Sequence, residues 1–148
     1  MANQLYKSSS HAVYSIRLHF VFVTKYRHKT ITPEIEAELR TAFVDIAKGW
    51  KSEVVEMDVE PDHAHLLISI PPTTDISRLA NNLKSASSRR VRNKFSDWID
   101  CFYWKPYFWH RAYFVASVGT ASLETVKRYV QRQTTFGKHS RLDPPPTA

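Results

Sequence analysis

The sequence predicts an α+β fold of the ferredoxin-like or RRM-like kind: an antiparallel sheet in the order β-α-β-β-α-β with an additional C-terminal helix. Three observations point there. Four short apolar segments read as strands, two longer segments between them carry apolar residues at helical spacing, and cap or turn residues mark the switches. At 148 residues, 43% of them apolar, the chain has material for one domain with a real core. We expect that single domain to span 1–148, with 1–11 and 140–148 as flexible tails.

The elements follow in order. From Val13 to Val23 the sequence alternates, with Tyr14, Ile16, Leu18, Phe20 and Phe22 on one face of a first strand. A basic loop runs from Lys25 to Lys29. Thr32-Pro33 supplies an N-cap and a proline at the first helical position, and Ile35, Leu39, Phe43, Ile46 and Trp50 then define an amphipathic helix over about 33–50. Val55, Met57 and Val59 alternate as a second strand. Pro61-Asp62 turns the chain into a third strand, His63-Ala64-His65 followed by Leu66-Leu67-Ile68-Ser69-Ile70, which Pro71-Pro72 ends. Asp75 caps a second helix whose buried stripe is Ile76, Leu79, Leu83 and Ala86, with Arg78, Ser85, Arg89 and Arg92 on another side. An aromatic segment from Trp98 to Trp109 precedes a fourth strand, Tyr113 to Val118, closed by Gly119. Leu123, Val126 and Val130 mark the third helix, and the tail beginning Asp143-Pro-Pro-Pro is too rich in proline to be helical.

Composition narrows the function classes. The N-terminus lacks the apolar core of a signal peptide, and no apolar stretch approaches membrane-spanning length. The single cysteine, Cys101, excludes an intramolecular disulfide and a cysteine-based zinc site, so we expect a cytoplasmic protein with no membrane partner. Lys plus Arg number 21 against 14 Asp plus Glu, a net charge of +7, and the cations cluster at 25–29, 84–94 and 127–132. Such an excess favours a polyanionic partner such as nucleic acid. Lys25, Arg27, Lys29, Arg78, Lys84, Arg89 and Arg92 are the candidates for phosphate contact, which gives affinity without sequence information. Most of the aromatics at 98–109 are expected to be core or interface, with one or two available to stack on bases.

The residues with chemistry are few. Residues two apart on a strand share a face, so His63 and His65 project together while Ala64, Leu66, Ile68 and Ile70 face the other way. Two neutral imidazoles so placed can chelate a divalent metal. On the third helix Tyr129 and Gln133 are four apart and share a face. The glutamine oxygen is an acceptable ligand for Mg²⁺ or Mn²⁺, and tyrosine is an established type of covalent nucleophile. Glu60 and Asp62 lie close to the histidines but rank below Gln133 as ligands; one of them becomes the better candidate if the third helix does not reach the sheet.

Asp62-His63-Ala64-His65-Leu66-Leu67, the late Tyr129-x-x-x-Gln133, and Tyr113-Phe-Val-Ala-Ser-Val-Gly119 together resemble the TnpA-type transposases of small bacterial insertion sequences. These are HUH (His-hydrophobic-His) enzymes with one catalytic tyrosine. The segments Val13-Tyr14-Ser15-Ile16 and Val21-Phe22-Val23-Thr24-Lys25-Tyr26-Arg27 are similar too, and the resemblance covers nearly the whole chain. It implies metal-dependent cutting and rejoining of single-stranded DNA, hairpin-bearing strands included, through a 5′-phosphotyrosine and a free 3′-OH. It makes Tyr129 the nucleophile and His63, His65 and Gln133 the ligands of Mg²⁺ or Mn²⁺. It also implies a homodimer with shared active sites, the histidine pair from one subunit and the tyrosine helix from the other. Other functions stay open on the residues alone: a domesticated nuclease of the same chemistry that processes host repeats, a non-catalytic RNA- or single-strand-binding module, or a metal-dependent hydrolase.

Overall fold

The computed structural model describes residues 6–9 and 11–119. Alternation and capping organise these residues much as their chemistry requires. A two-stranded ribbon comes first: β1 (Lys7–Ser8) pairs antiparallel with β2 (Val13–Tyr14). β1 falls in the segment expected to be loose, where Lys7 also forms an ion pair with Glu53 at 2.7 Å. The long strand expected from 13 to 23 is interrupted after Tyr14 and resumes as β3 (Arg17–Thr24). The two pieces pair with different partners, β2 with the ribbon and β3 with the main sheet, which continuous alternation cannot reveal.

α1 (Pro33–Gly49) begins where expected, because the Thr32 hydroxyl accepts a hydrogen bond from the Ile35 amide and Pro33 occupies the first turn. β4 (Glu53–Glu60) and β5 (His63–Ser69) form a hairpin through Pro61-Asp62. α2 (Ile76–Lys94) is capped by the Asp75 carboxylate, which accepts from the Arg78 amide. Its buried stripe is Leu79, Ala80, Leu83, Ser87 and Val91, rotated from the expected one, and Ile76 in the first turn is exposed. A short helix that the sequence did not announce, α3 (Ser96–Ile99), precedes β6 (Trp109–Ser117). β6 starts earlier than expected because Trp109 pairs with Thr24 across an irregularity in the ladder.

The main sheet has the order β4-β5-β3-β6, and every neighbouring pair is antiparallel. The expected mixed α+β architecture with an antiparallel sheet is therefore present. Both long helices contribute to the core on one face, where Leu18, Phe20 and Phe22 of β3 and Ala64, Leu66 and Ile68 of β5 meet Ile35, Leu39, Phe43, Leu79, Leu83 and Val91. Phe22 is fully buried there, with ring centroids 6.0 Å from Phe43 and 5.8 Å from Trp109. The third helix expected after Gly119, which carries Tyr129 and Gln133, and the tail at 140–148 lie outside the described residues. Among the described residues no helix is long and apolar enough to cross a membrane.

Candidate active site

The face of the sheet opposite the two helices carries His19, His63 and His65 among the apolar Val21, Val23 and Leu67. Direct cross-strand partners share a face. His63 lies opposite Val23 of β3 and Glu60 of β4, and His65 lies opposite Val21 and Asp58. One position further along, Leu67 is flanked by His19 and Glu56. The burial of Ala64, Leu66 and Ile68 on the helix side fixes this register, since a slip of one residue would send the histidines into the core. The two imidazoles come together as the spacing predicted, with ring centroids 5.0 Å apart and ring planes at 82°.

Asp62 at the hairpin turn organises the first of them. Its Oδ1 lies 2.6 Å from His63 Nδ1, and its Oδ2 lies 3.3 Å from an Arg27 guanidinium nitrogen. Both oxygens are thus engaged, which makes Asp62 a poor metal ligand. Arg27 reaches it from an unusual turn. Tyr26 and Arg27 have φ of 61° and 55°, a left-handed backbone that costs a non-glycine residue about 1–2 kcal/mol. The surrounding contacts hold the turn. The Thr24 amide donates to the Asp62 carbonyl at 2.9 Å, and the Thr24 hydroxyl donates to the His28 carbonyl at 2.6 Å. The Lys25 amide donates to the Phe108 carbonyl, and the Tyr103 hydroxyl donates to the Lys25 carbonyl. Burial pushes the Tyr103 phenol up to about 12, so it remains a donor.

Asp58 and His19 of this face were not singled out by sequence reasoning. Asp58 sits beside His65, and the signal was available: Glu56, Asp58 and Glu60 are the alternates of Val55, Met57 and Val59. His19 is completely buried, neither ring nitrogen has a hydrogen-bond partner among the described residues, and burial pushes its pKa down to about 4, so it is neutral. Among the described residues no three His, Cys, Asp or Glu side chains are arranged to hold a metal. The histidine pair offers two nitrogens of the kind Mn²⁺ accepts, and an ion bound there would need a further ligand from elsewhere.

The basic candidates divide by environment. Lys29, Arg78 and Arg89 are exposed. Lys25 lies 5.2 Å from the Tyr26 ring centroid and 4.8 Å from that of Tyr107. Lys84 donates to the Arg111 carbonyl at 2.7 Å, and burial pushes its ammonium down to about 8. Arg92 donates to the Tyr107 carbonyl at 2.8 Å and lies 3.8 Å from Asp100. Lys84 thus braces β6 itself, and Arg92 braces the segment that leads into it. Of the aromatics at 98–109, Tyr103, Phe108 and Trp109 are buried, whereas Trp104 is 85% exposed. Trp98 is partly open, but its indole donates to the Thr30 carbonyl.

Comparison with known proteins adds to this geometry. The family described as "Transposase IS200 like" matches residues 12–133. The ISDra2 transposase TnpA of Deinococcus radiodurans is 31% identical over 121 residues, covering 82% of this chain and 86% of that protein. The transposase of insertion sequence element IS200 from Salmonella typhimurium is 29% identical over 127 residues, covering 86% and 82% respectively. A crystal structure of a candidate transposase from Deinococcus radiodurans R1 superposes with a TM-score of 0.74 at 30% identity, over 86% of this chain and 97% of that one. A tyrosine transposase solved with a REP hairpin shares the fold, with a TM-score of 0.53 at 15% identity, over 85% of this chain and 67% of that one.

Proposed function

Because the chain belongs to the family of IS200-like transposases, TnpA-type enzymes of insertion sequences, we propose that it cuts and rejoins single-stranded DNA at insertion-sequence ends through a 5′-phosphotyrosine on Tyr129. The observation that carries this reading is the His63–His65 pair, two imidazoles 5.0 Å apart on the face of the sheet opposite the core helices, with His65 fully buried. A module that only bound nucleic acid would need no such pair.

The two imidazoles, 5.0 Å apart, suit a divalent ion as part of a ligand set. Mg²⁺ or Mn²⁺ held by His63, His65 and Gln133 would polarise the scissile phosphate and lower the demand on the nucleophile. Gln133 is a better third ligand than Asp62, whose oxygens are taken by His63 and Arg27. The Tyr129 hydroxyl attacks phosphorus, a bond to its oxygen forms, and the 3′-oxygen leaves as a free 3′-OH. In the second step a strand's 3′-OH attacks the phosphotyrosine and frees Tyr129. Each transesterification exchanges one phosphoester for another, so no nucleotide cofactor is required.

The strand order β4-β5-β3-β6 with both core helices on one face supports reading the fold as ferredoxin-like. The C-terminal helix would then lay Tyr129 against the histidine face. Exposed Lys29, Arg78 and Arg89 support phosphate contact, and the neighbour solved with a REP hairpin supports hairpin-bearing single strands as the substrate. The assembly in this reading is a homodimer whose active sites each take the histidines from one subunit and the tyrosine from the other. The cytoplasmic setting belongs to the same proposal.

Single-stranded candidate ends incubated with Mg²⁺ or Mn²⁺ test it. The wild-type protein should release a product with a free 3′-OH, whereas Tyr129→Phe should bind the same strand and not cut. Cutting by Tyr129→Phe at the wild-type rate would overturn the assignment. Verified heterodimers of His63→Ala and Tyr129→Phe should recover part of the activity that neither variant has alone. If they stay inactive beside active controls, sharing of the sites is wrong.

A further inference from the structure

We infer that Arg27 and Asp62 are positioning residues for the histidine pair: Arg27 locks the Asp62 carboxylate, and that carboxylate holds His63 with its proton on Nδ1, leaving the Nε2 lone pair bare. The inference rests on the metal-dependent reading of the site and assigns Arg27 a task other than phosphate contact.

A carboxylate offers only acceptors, so the 2.6 Å contact between Asp62 Oδ1 and His63 Nδ1 is a hydrogen bond donated by Nδ1–H. A neutral imidazole carries one ring proton. With it held at Nδ1, Nε2 is the nitrogen with a lone pair to give, the state that metal ligation requires. The Arg27 guanidinium, 3.3 Å from Oδ2, prevents the carboxylate from turning away to solvent. The backbone reinforces the point. Arg27 is delivered by two consecutive left-handed residues, and the loop is tied to the hairpin by Thr24, whose amide donates to the carbonyl of Asp62 itself. A loop that only presented charge to phosphates would need neither the left-handed turn nor the tie.

The tautomer is directly measurable. Two-bond ¹H–¹⁵N correlation spectra of the histidine-labelled, metal-free protein, with His63 assigned by its loss in His63→Ala, should show the Nδ1–H form. Asp62→Ala should release it. Asp62→Asn should reverse it, because Arg27 retains the amide oxygen and turns the amide NH₂ toward Nδ1, which pushes the ring proton to Nε2. Calorimetric titration with Mn²⁺ alone should then show affinity reduced by about 10–100-fold in Asp62→Asn, the usual cost of losing an outer-shell partner, and by a smaller factor in Arg27→Ala. A Nε2–H tautomer in the wild-type protein would overturn the inference by itself, whether or not the variants fold. So would unchanged tautomer and Mn²⁺ affinity in a folded Asp62→Asn. Cleavage assays keep the two proposals apart. If the tautomer and affinity shift as stated but the wild-type protein never cuts single strands, the positioning role stands and the transposition chemistry falls.

Discussion

On β3, Leu18, Phe20 and Phe22 enter the core beneath the helices, while Arg17, His19, Val21 and Val23 line the other face. On β5, Ala64, Leu66 and Ile68 alternate in the same way with His63, His65, Leu67 and Ser69. The same strands thus carry two chemistries at a period of two. The helix side is apolar and interlocked, and it determines the register. The opposite side carries titratable groups whose positions are inherited from that register. A feature such as the histidine pair can therefore be placed accurately by residues that never touch it.

The helix side breaks first. Phe22→Ala removes a fully buried ring packed on Phe43 and Trp109, and such truncations cost about 3–5 kcal/mol. Urea unfolding should show that loss, and cleavage should fall with the folded fraction. A shift below 1 kcal/mol would mean that this face does not set the stability.

His19 probes the polar side next. Its folded-state pKa is about 4 against 6.5 for a free imidazole, because burial disfavours the charged ring. Between those values the unfolded chain binds more protons than the folded one. The contribution is present in full above pH 6.5 and is lost as the pH falls toward 4. The loss is of the order of 3 kcal/mol, at about 1.4 kcal/mol per pKa unit. His19→Leu should flatten this acid limb of the stability curve. An unchanged slope in that variant would assign the acid sensitivity to other groups.

The smallest effect sharpens the contrast from within the core. The Trp109 indole donates to the Ser87 hydroxyl at 3.0 Å, a buried polar contact on the otherwise apolar side. Ser87→Ala leaves that donor without its acceptor, a loss of about 1–3 kcal/mol, readable as a lowered unfolding midpoint.

Much of this was legible in the sequence, for identifiable reasons. Alternation on β5 placed His63 and His65 together, because neighbouring apolar residues left only one orientation. Thr32 and Asp75 announced their helices, since capping is local chemistry. Long-range pairing was not legible. The interruption after Tyr14, the early start of β6 at Trp109 and the place of Asp58 beside His65 all depend on which strand lies next to which. Arg27 read as one cation in a basic loop, because its partner Asp62 is distant in sequence and the turn that brings them together uses backbone angles foreign to its residue types. Tyr129 and Gln133 lie outside the described residues, so their place in the site rests on the family resemblance.

The most direct test of the central claim is to trap the covalent complex. The protein is incubated with a single-stranded insertion-sequence end and Mn²⁺, denatured and digested, and the DNA-bearing peptide is sequenced by mass spectrometry. The expected result is a 5′-phosphate joined to Tyr129, absent when His63→Ala replaces the wild-type protein. Cleaved DNA with no covalent adduct, or an adduct on any other residue, would contradict it.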